Sequence, residues 1–534
     1  LHVNDADSWV LKLNEFQHDL RVFLKNGFKP NGSNNTIPAF SPPKTFENAL
    51  TTTIAIIRAS NTELAGEQGI NHFNLFLAPF ARNLSLEEIK DSLRRFLFNL
   101  NQTASMGGRP ADVSLGLDFT VPENLEKLEA IGVRGDRMGF YGDYLSEASR
   151  ILSVLLDLMF EDDAHQPIFS PYLIFNLNPE NVKNKDIESL MLKAHELAAK
   201  RGTPYFVNSS LTYQKSPSYF ATGSRMNSDW TGDWELDTIR TGNLGNIVIN
   251  LPRLAYEAKG SDSKLLNALD EYLQMVIEAL SIKYQAIEDR IKWSLLPFLS
   301  QPVSGEPYLR IRDNTLNINL VGLNEAVKVH TGNQLHEDKR AMDFGLKIMG
   351  NLALQSKAAS WKSGFRVTVA NDSANNASQR FAKLDIERYG WGTVFIQGSR
   401  EAPYYTDLTM VPLEAELSLN ERLDMEGAFH SFLNGGHLAL IELEEPEQNP
   451  EMLLKMSRQL SQLSNIGFYA FTRSYSYCAN CQKVFGRLLS KCPECASVKS
   501  FTRYSRLSSK YLPLNIWSSS KQGVVGKRHH YTLS

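Results

Sequence analysis

Apolar residues recur along this chain in two alternating rhythms. Over residues 144–160, Leu145, Ala148, Ile151, Leu152, Leu155 and Leu156 fall three or four apart, the spacing that gathers them on one helix face. Residues 171–177 (PYLIFNL) then make a short unbroken apolar run, which predicts a buried strand. Residues 186–200 return to helical spacing and stop at Arg201-Gly202. Strands are predicted again at 204–208 (PYFVN) and at 247–251 (IVINL), the second followed by Pro252. The longest helical pattern covers 263–293, where Leu266, Leu269, Leu273, Val276, Leu280, Tyr284, Ile287 and Ile291 form one stripe. Such a stripe can mark a coiled coil, but it is more often a core helix packed on a sheet. Further strands are predicted at 365–370 and 393–397, and the polar stretch 371–378 (NDSANNAS) reads as a loop. Strand–helix alternation over roughly 400 residues predicts a large α/β domain with a parallel or mixed sheet. There is no internal repeat and no long low-complexity linker.

Composition narrows the class. With 534 residues, 42% of them hydrophobic, and a formal charge of −3, the chain is globular. Its near-neutral balance gives no general drive toward nucleic acid or an anionic membrane. No apolar run approaches the roughly 18 residues of a membrane span. The nearest, 151–160, is interrupted by Asp157. The opening LHVNDADSW has neither a basic n-region nor an apolar h-region, so it is not a signal peptide. Beginning on Leu1, the chain reads as entered partway, with room upstream for a regulatory domain. The four cysteines, all in paired spacing, fit a reducing cytoplasm.

Those cysteines carry the clearest chemistry. Cys478, Cys481, Cys492 and Cys495 make two C-x2-C pairs, each on a tight turn, with ten residues between them. Four thiolates supply the tetrahedral shell that Zn²⁺ accepts, and a four-Cys shell is closed, so the zinc is expected to be structural. The alternatives are free thiols, disulfides within each pair, or a redox C-x-x-C, for which two pairs in a ribbon-like layout fit poorly. Lys483, Arg487, Lys491, Lys499, Arg503 and Arg506 make the ribbon basic, but stacking aromatics are sparse, so nucleic acid is not the expected partner.

Several ordered motifs resemble those of the class III, anaerobic ribonucleoside-triphosphate reductases. His2-Val-Asn-Asp5 with Ala6-Asp7 is similar to the family's H-I-H-D-L-D opening, and residues 14–28 (NEFQHDLRVFLKNGF) to the stretch that follows. Residues 63–80 (ELAGEQGINHFNLFLAPF) look like the E-x-x-G-G-Q-S segment, and 197–206 (LAAKRGTPYF) resemble the approach to the active-site loop. Residues 242–253 (GNLGNIVINLPR) make the closest match. Val321-Gly-Leu-Asn-Glu325, Tyr404-Tyr-Thr406 and Asn434-Gly-Gly436 match further signatures, and a four-Cys ribbon before the C-terminal loop is itself a family feature.

The resemblance implies a ten-stranded α/β barrel of the glycyl radical enzyme type, built of two half-barrels, with a C-terminal four-Cys zinc ribbon. It divides the chain into a barrel (1–465), a ribbon (466–500) and a C-terminal segment like a radical loop (501–534). In this family a glycyl radical oxidises a finger-loop cysteine, and the thiyl abstracts the 3′-hydrogen of the ribose. Here zinc would claim all four cysteines. The finger-loop position resembles Gly223-Ser224-Arg225, and the O–H bond of Ser224 is too strong to replace S–H. Glu15 stands where the family has its second cysteine. The radical glycine falls at Ser508 or Ser509, while Gly523 and Gly526 have the wrong flanking pattern to replace it. The opening has Asn4 in place of the second histidine, and 371–375 (NDSAN) lacks the family's P-A-E step, though Arg380 and Asp385 fit.

The expectation is a paralogue without radical catalysis, in which Ser224, Glu15, Ser508 and Ser509 are degenerate positions. Its pocket residues would be His2, Asn4, Asn250, Asn324 and Glu325, each with an ordinary structural hydrogen bond as the plain alternative. The implied ligand is a nucleoside triphosphate. The implied partners are a second copy of the chain, as a homodimer, and an active reductase. Two other readings stand beside this one. The barrel could run non-radical acid–base chemistry from Glu15, with Asn4 and Ser224 nearby, or it could serve as a structural or assembly scaffold.

Overall fold

The short apolar runs become strands of one closed sheet, buried on both faces, which is why they read as unbroken rather than alternating. The computed structural model describes residues 1–4, 11–29, 39–102, 110–161, 169–178, 184–372, 374, 376–444, 448–506 and 509–533. The first five strands are β1 (Glu15–His18), β2 (Gln68–Ile70), β3 (Val113–Asp118), β4 (Tyr172–Leu177) and β5 (Tyr205–Asn208). They pair in sequence order, all parallel. The second five are β6 (Thr241–Asn250), β7 (Thr315–Val321), β8 (Arg366–Asn371), β9 (Gly436–His437 and Ala439–Glu442, one strand broken at Leu438) and β10 (Phe468–Thr472). These too are parallel and sequential. The halves meet antiparallel where β6 joins β1 and β10 joins β5. The two pieces of β9 sit at opposite ends of the sheet path, so they close it into a ten-stranded barrel.

Helices cover the outside. The longest, Asp262–Lys292, starts at Ser261, whose hydroxyl accepts from the Lys264 amide. It buries Leu269, Leu273, Val276, Leu280 and Ile287. Each fully buried leucine there contributes about 2 kcal/mol of transfer free energy. The stripe therefore packs on the barrel, as its spacing predicts. No helix among the described residues is long and apolar enough to cross a membrane.

Between β5 and β6 the chain turns into the barrel as a finger, with a short hairpin of Ser218–Tyr219 and Arg225–Met226. The Asn434-Gly-Gly436 motif cradles it. The Arg225 amide donates to the Gly435 carbonyl (2.9 Å), and the Arg225 guanidinium donates to the Asn434 carbonyl. Gly436 has φ +112°, and a Cβ there would lie 2.0 Å from the Gly223 carbonyl oxygen. Only glycine lets the strand and the finger approach so closely.

After the barrel comes a four-stranded sheet: β11 (Tyr475–Cys478), β12 (Lys483–Phe485), β13 (Phe501–Arg506) and β14 (Tyr511–Pro513), ordered β12-β11-β13-β14. A last short helix, Ser519–Val525, follows. Buried ion pairs strap this segment to the barrel. Lys521 meets Asp407 at 2.6 Å, and Arg528 meets Glu442 at 2.6 Å while donating to the Arg506 carbonyl.

Three sequence expectations are corrected. The run at 393–397 is not a strand of the barrel: only Gln397–Gly398 pairs, in a small hairpin. Val394 is apolar because it packs on Phe381 and Tyr405, over the helix Ala377–Tyr389. The strand placed at 247–251 is Thr241–Asn250, and Leu251 opens the next helix with Pro252 in its first turn. The boundary at 465 also moves. Strand β10 lies beyond it but belongs to the barrel, and the ribbon sheet runs on to Pro513. The runs FYAFT and YSYC sit so close in sequence that nothing separates barrel from ribbon there.

Candidate functional site

Three chain segments converge at the barrel mouth where β1, β2 and β3 begin. Glu15 opens β1 and is 1% exposed. Its carboxylate accepts from Thr222 Oγ1 (2.5 Å) at the finger tip and from Asn243 Nδ2 (3.2 Å) on β6. Burial pushes its pKa up to about 7, partly offset by the Thr222 bond and reinforced by the Glu67 charge. Glu67 stands just ahead of β2 and is fully buried. One of its oxygens accepts from the Ala221 amide of the finger (2.7 Å), and the other meets Lys510 Nζ at 2.9 Å. Lys510 also lies 3.2 Å from Asp112. Burial lowers its pKa, but the Asp112 and Glu67 carboxylates outweigh that and hold the ammonium charged. Glu67 thus clamps the finger and the C-terminal loop at once. Ser509, 2% exposed, is fixed by its carbonyl, which accepts from Tyr205 OH (2.5 Å).

These residues line an open cavity of about 450 Å³, within the range of small-molecule sites. Asn4, Asp112, Thr222, Asn246 and Asp372 complete its polar wall, and Leu512, Ile516 and Trp517 give an apolar one. Asn246 Nδ2 donates to Asp372 (2.7 Å), and Asn243 Nδ2 donates to Asn246 Oδ1 (2.7 Å). Among the described residues the Asn4 side-chain oxygen meets no donor.

The structure brings together Glu15, Asn4, Ser224 and Ser509. Glu15, Asn4 and Ser509 line the cavity, and Ser224 is fully buried in the finger, where its amide donates to Thr222 Oγ1, the same hydroxyl that donates to Glu15. Ser508 lies outside the described residues, as do residues 5–7 of the opening motif. The other pocket expectations do not line this cavity. His2 is half-buried, with Nδ1 3.0 Å from the Arg380 guanidinium and its ring edge-on to Phe381. Asn250 caps the helix Leu251–Ala258 and donates to Asp385 (2.9 Å). Glu325, fully buried, accepts from the Thr406 amide (3.0 Å), the Thr406 hydroxyl (2.6 Å) and Gln397 Nε2 (2.9 Å), and burial raises its pKa. Asn324 accepts from the Leu335 amide and donates to Gln334. The V-G-L-N-E and Y-Y-T motifs are therefore one hydrogen-bonded joint, with the Gly322 amide donating to the Thr406 carbonyl (2.8 Å).

Sequence reasoning missed Glu67, Asp112, Asp372 and Lys510. Two of them left a signal: Glu67 occupies the second glycine place of the E-x-x-G-G-Q-S-like segment, and Asp372 lies in the 371–375 stretch that lacks the family's P-A-E step. A lone lysine after two serines announces nothing.

The cysteines form a second site. Cys478 Sγ lies 3.5 Å from Cys495 Sγ, and Cys481 Sγ lies 3.5 Å from Cys492 Sγ. All four lie within 4.8 Å of one another. Four Zn–S bonds of about 2.3 Å place sulfurs about 3.8 Å apart in a tetrahedron, so the cluster has the size of a metal shell. The close contacts run between the two pairs, not within them.

Comparison with known proteins agrees with the geometry. The family model described as anaerobic ribonucleoside-triphosphate reductase matches residues 1–531. The anaerobic ribonucleoside-triphosphate reductase of Salmonella typhimurium is 23% identical over 498 residues, covering 85% of this chain and 65% of its own length. The chain thus spans about two thirds of that relative. A solved anaerobic ribonucleotide reductase superposes with a TM-score of 0.79 at 16% identity, covering 99% of this chain and 83% of the other. The Thermotoga maritima enzyme, solved in complex with dATP and CTP, gives 0.75 at 16% identity, covering 96% and 83%. The chain belongs to the anaerobic ribonucleoside-triphosphate reductase family.

Proposed function

We propose that this chain is a non-radical member of its family, one that keeps the barrel as a binding site for a nucleotide-type ligand and keeps a structural zinc. The observation that carries the reading is the placement of the thiols. All four gather in the ribbon, while the finger tip at the barrel centre carries Ser224 beside Glu15. A radical relay from the C-terminal loop would meet a hydroxyl and a carboxylate there. Nucleotide binding is supported by the open, polar cavity and by the nucleotide complex of the Thermotoga maritima neighbour. In this reading the chain serves as a nucleotide-binding partner of an active reductase. A filled interior would favour a scaffold, and the cavity is open.

Calorimetric titration of the purified chain with each ribo- and deoxyribonucleotide tests the binding half, and failure of every one to bind sinks it. Anaerobic incubation with an activating system and a ribonucleoside triphosphate tests the other half, and any deoxynucleotide formed overturns it.

A second reading has one specific observation behind it. Glu15 is a buried carboxyl with a pKa of about 7 beside the Thr222 hydroxyl, suited to proton transfer near neutral pH. It requires a turnover that Glu15→Gln abolishes.

A further inference from the structure

We propose that one face of the four-stranded ribbon sheet is a second binding surface, and that its ligand is single-stranded nucleic acid. The inference stands apart from the barrel cavity, whose lining residues take no part in it.

The first argument is the register of the sheet. On the middle strand β11, Cys478 lies opposite Lys483 of β12 on one side and Phe501 of β13 on the other. Two residues back, Ser476 lies opposite Phe485 of β12 and Arg503 of β13. Directly opposed residues, and residues two apart on one strand, share a face. That face therefore carries two rows, each with one cation and one aromatic ring, in crossed order. The Phe485 and Phe501 rings meet over the small side chains of β11, with centroids 6.2 Å apart. Both residues are half-buried, and neither belongs to a hydrophobic cluster among the described residues. In the sequence, stacking aromatics look sparse because the two rings come from different strands.

The second argument is charge. Lys483, Arg487, Lys491, Lys499 and Arg503 are all exposed, and Glu494 is the only acid in residues 478–503 of a chain whose net charge is −3. The positive charge is thus local to the ribbon. Of the five cations, only Lys483 meets a carboxylate among the described residues, Glu494 at 3.1 Å. Both side chains of that pair are about half exposed, so it is weakly held and open to exchange with a phosphate.

The third argument is the combination. Strand β12 is an edge strand, and a lysine on an edge is by itself a guard against pairing with another sheet. Half-exposed phenylalanines guard nothing. Cations set between stacking faces suit a strand that presents phosphates and unpaired bases together. A duplex keeps its base faces stacked inside and an acidic peptide has none, so both would meet the cations alone.

The test is fluorescence anisotropy on the full chain with a labelled, mixed-sequence DNA or RNA strand of about 12 nucleotides. At least one of the two is expected to bind. Its log–log salt slope should be about −2 to −3.5, as roughly three to five phosphate contacts would give. Phe485→Ala and Phe501→Ala should each weaken binding about fivefold or more. Phe501→Trp keeps a stacking face and should stay within about twofold of the parent, which separates lost stacking from a lost fold. Arg503→Ala should reduce the salt slope by about 0.7. The matching duplex and a poly-glutamate peptide should each bind more weakly than the strand, by about fivefold or more. No binding of either strand at low salt overturns the inference, and so does strand binding that neither alanine variant moves. A duplex held as tightly as the strand makes the face a charge-only surface, and a peptide held as tightly makes it a protein-docking one; either result also overturns the inference.

Discussion

Replacing Lys510 by Met probes the clamp that joins the two interior loops. Lys510 Nζ lies 2.9 Å from Glu67, whose side chain is 0% exposed, and 3.2 Å from Asp112, whose side chain is 44% exposed. Without the ammonium, Asp112 is left to water. Glu67 is left as a buried carboxylate with one backbone donor, the Ala221 amide. Removing one partner of a buried pair costs about 3–5 kcal/mol, because the other charge stays uncompensated. The lower end applies here, since Asp112 is partly solvated. A loss of about 3 kcal/mol corresponds to roughly 160-fold less protection against local opening. The assay is hydrogen exchange at the amides of Ser509 and Lys510 and at Ala221 of the finger, which reads local opening directly. The Lys510→Met/Glu67→Gln double variant should regain at least half of the protection: the glutamine oxygen still accepts from Ala221 and no charge is orphaned. Exchange in Lys510→Met within threefold of the parent, or a double variant no better protected than the single, would refute the clamp.

Other expectations follow from the same geometry. Glu15, at about 7 in the folded chain against 4.5 for the free side chain, holds its proton where the unfolded chain has lost it. Its contribution is therefore full below pH 4.5 and fades as pH rises through 7, by about 3 kcal/mol in total. Glu63, also pushed up to about 7 by burial, adds a parallel slope. Glu15→Gln should thus flatten the fall of the melting midpoint between pH 5 and 7 by about half, and an unchanged slope counts against the placement. Metal analysis should find about one zinc per chain, with no thiol reactive toward a disulfide reagent until a chelator exposes all four. Fewer than one zinc with free thiols contradicts the ribbon. Gly436→Ala forces a Cβ to within 2.0 Å of the Gly223 carbonyl at φ +112°. It should cost about 3 kcal/mol or more and raise proteolysis within the finger, whereas an intact, equally stable chain would mean the finger does not press on β9.

The fold was legible where an element carried its own signal. The helix over 263–293 needed only its stripe, and β4, β5 and β8 needed only apolar runs. Strands β1 and β2 were not legible, because EFQH and QGI are short and largely polar, whereas TLNINLV of β7 alternates and does carry a strand signal. In β1 and β2, Glu15 lines the cavity and His18 meets Gln68, so burial and polarity coincide and the periodic signal vanishes. The barrel's closure rests on the split of β9 around Leu438, which no local pattern encodes. Of the site, the family motifs pointed at Glu15 and Ser224 rightly as neighbours. They also pointed at Asn250, Asn324 and Glu325, which hold the scaffold together. A motif marks what must be kept, and joints must be kept as strictly as pockets.

The interior glutamates make physical sense only together with their partners. A carboxylate placed alone at Glu67 would be a charge in a fully buried position, at a cost of several kcal/mol. One placed alone at Glu15 would face the same penalty. Instead Glu67 meets Lys510 across the gap between barrel and C-terminal loop, and Glu15 meets a finger hydroxyl and an asparagine of β6. Each glutamate thus finds a partner on a different segment of the chain. The finger is tied to both glutamates, through Thr222 and the Ala221 amide, and the C-terminal loop is tied to Glu67 through Lys510. A loop tethered through a buried ammonium opens only when that charge is stripped of its partners. The bonds of Glu67 to the Ala221 amide and to Lys510 therefore join the finger and the C-terminal loop at one residue of the cavity wall.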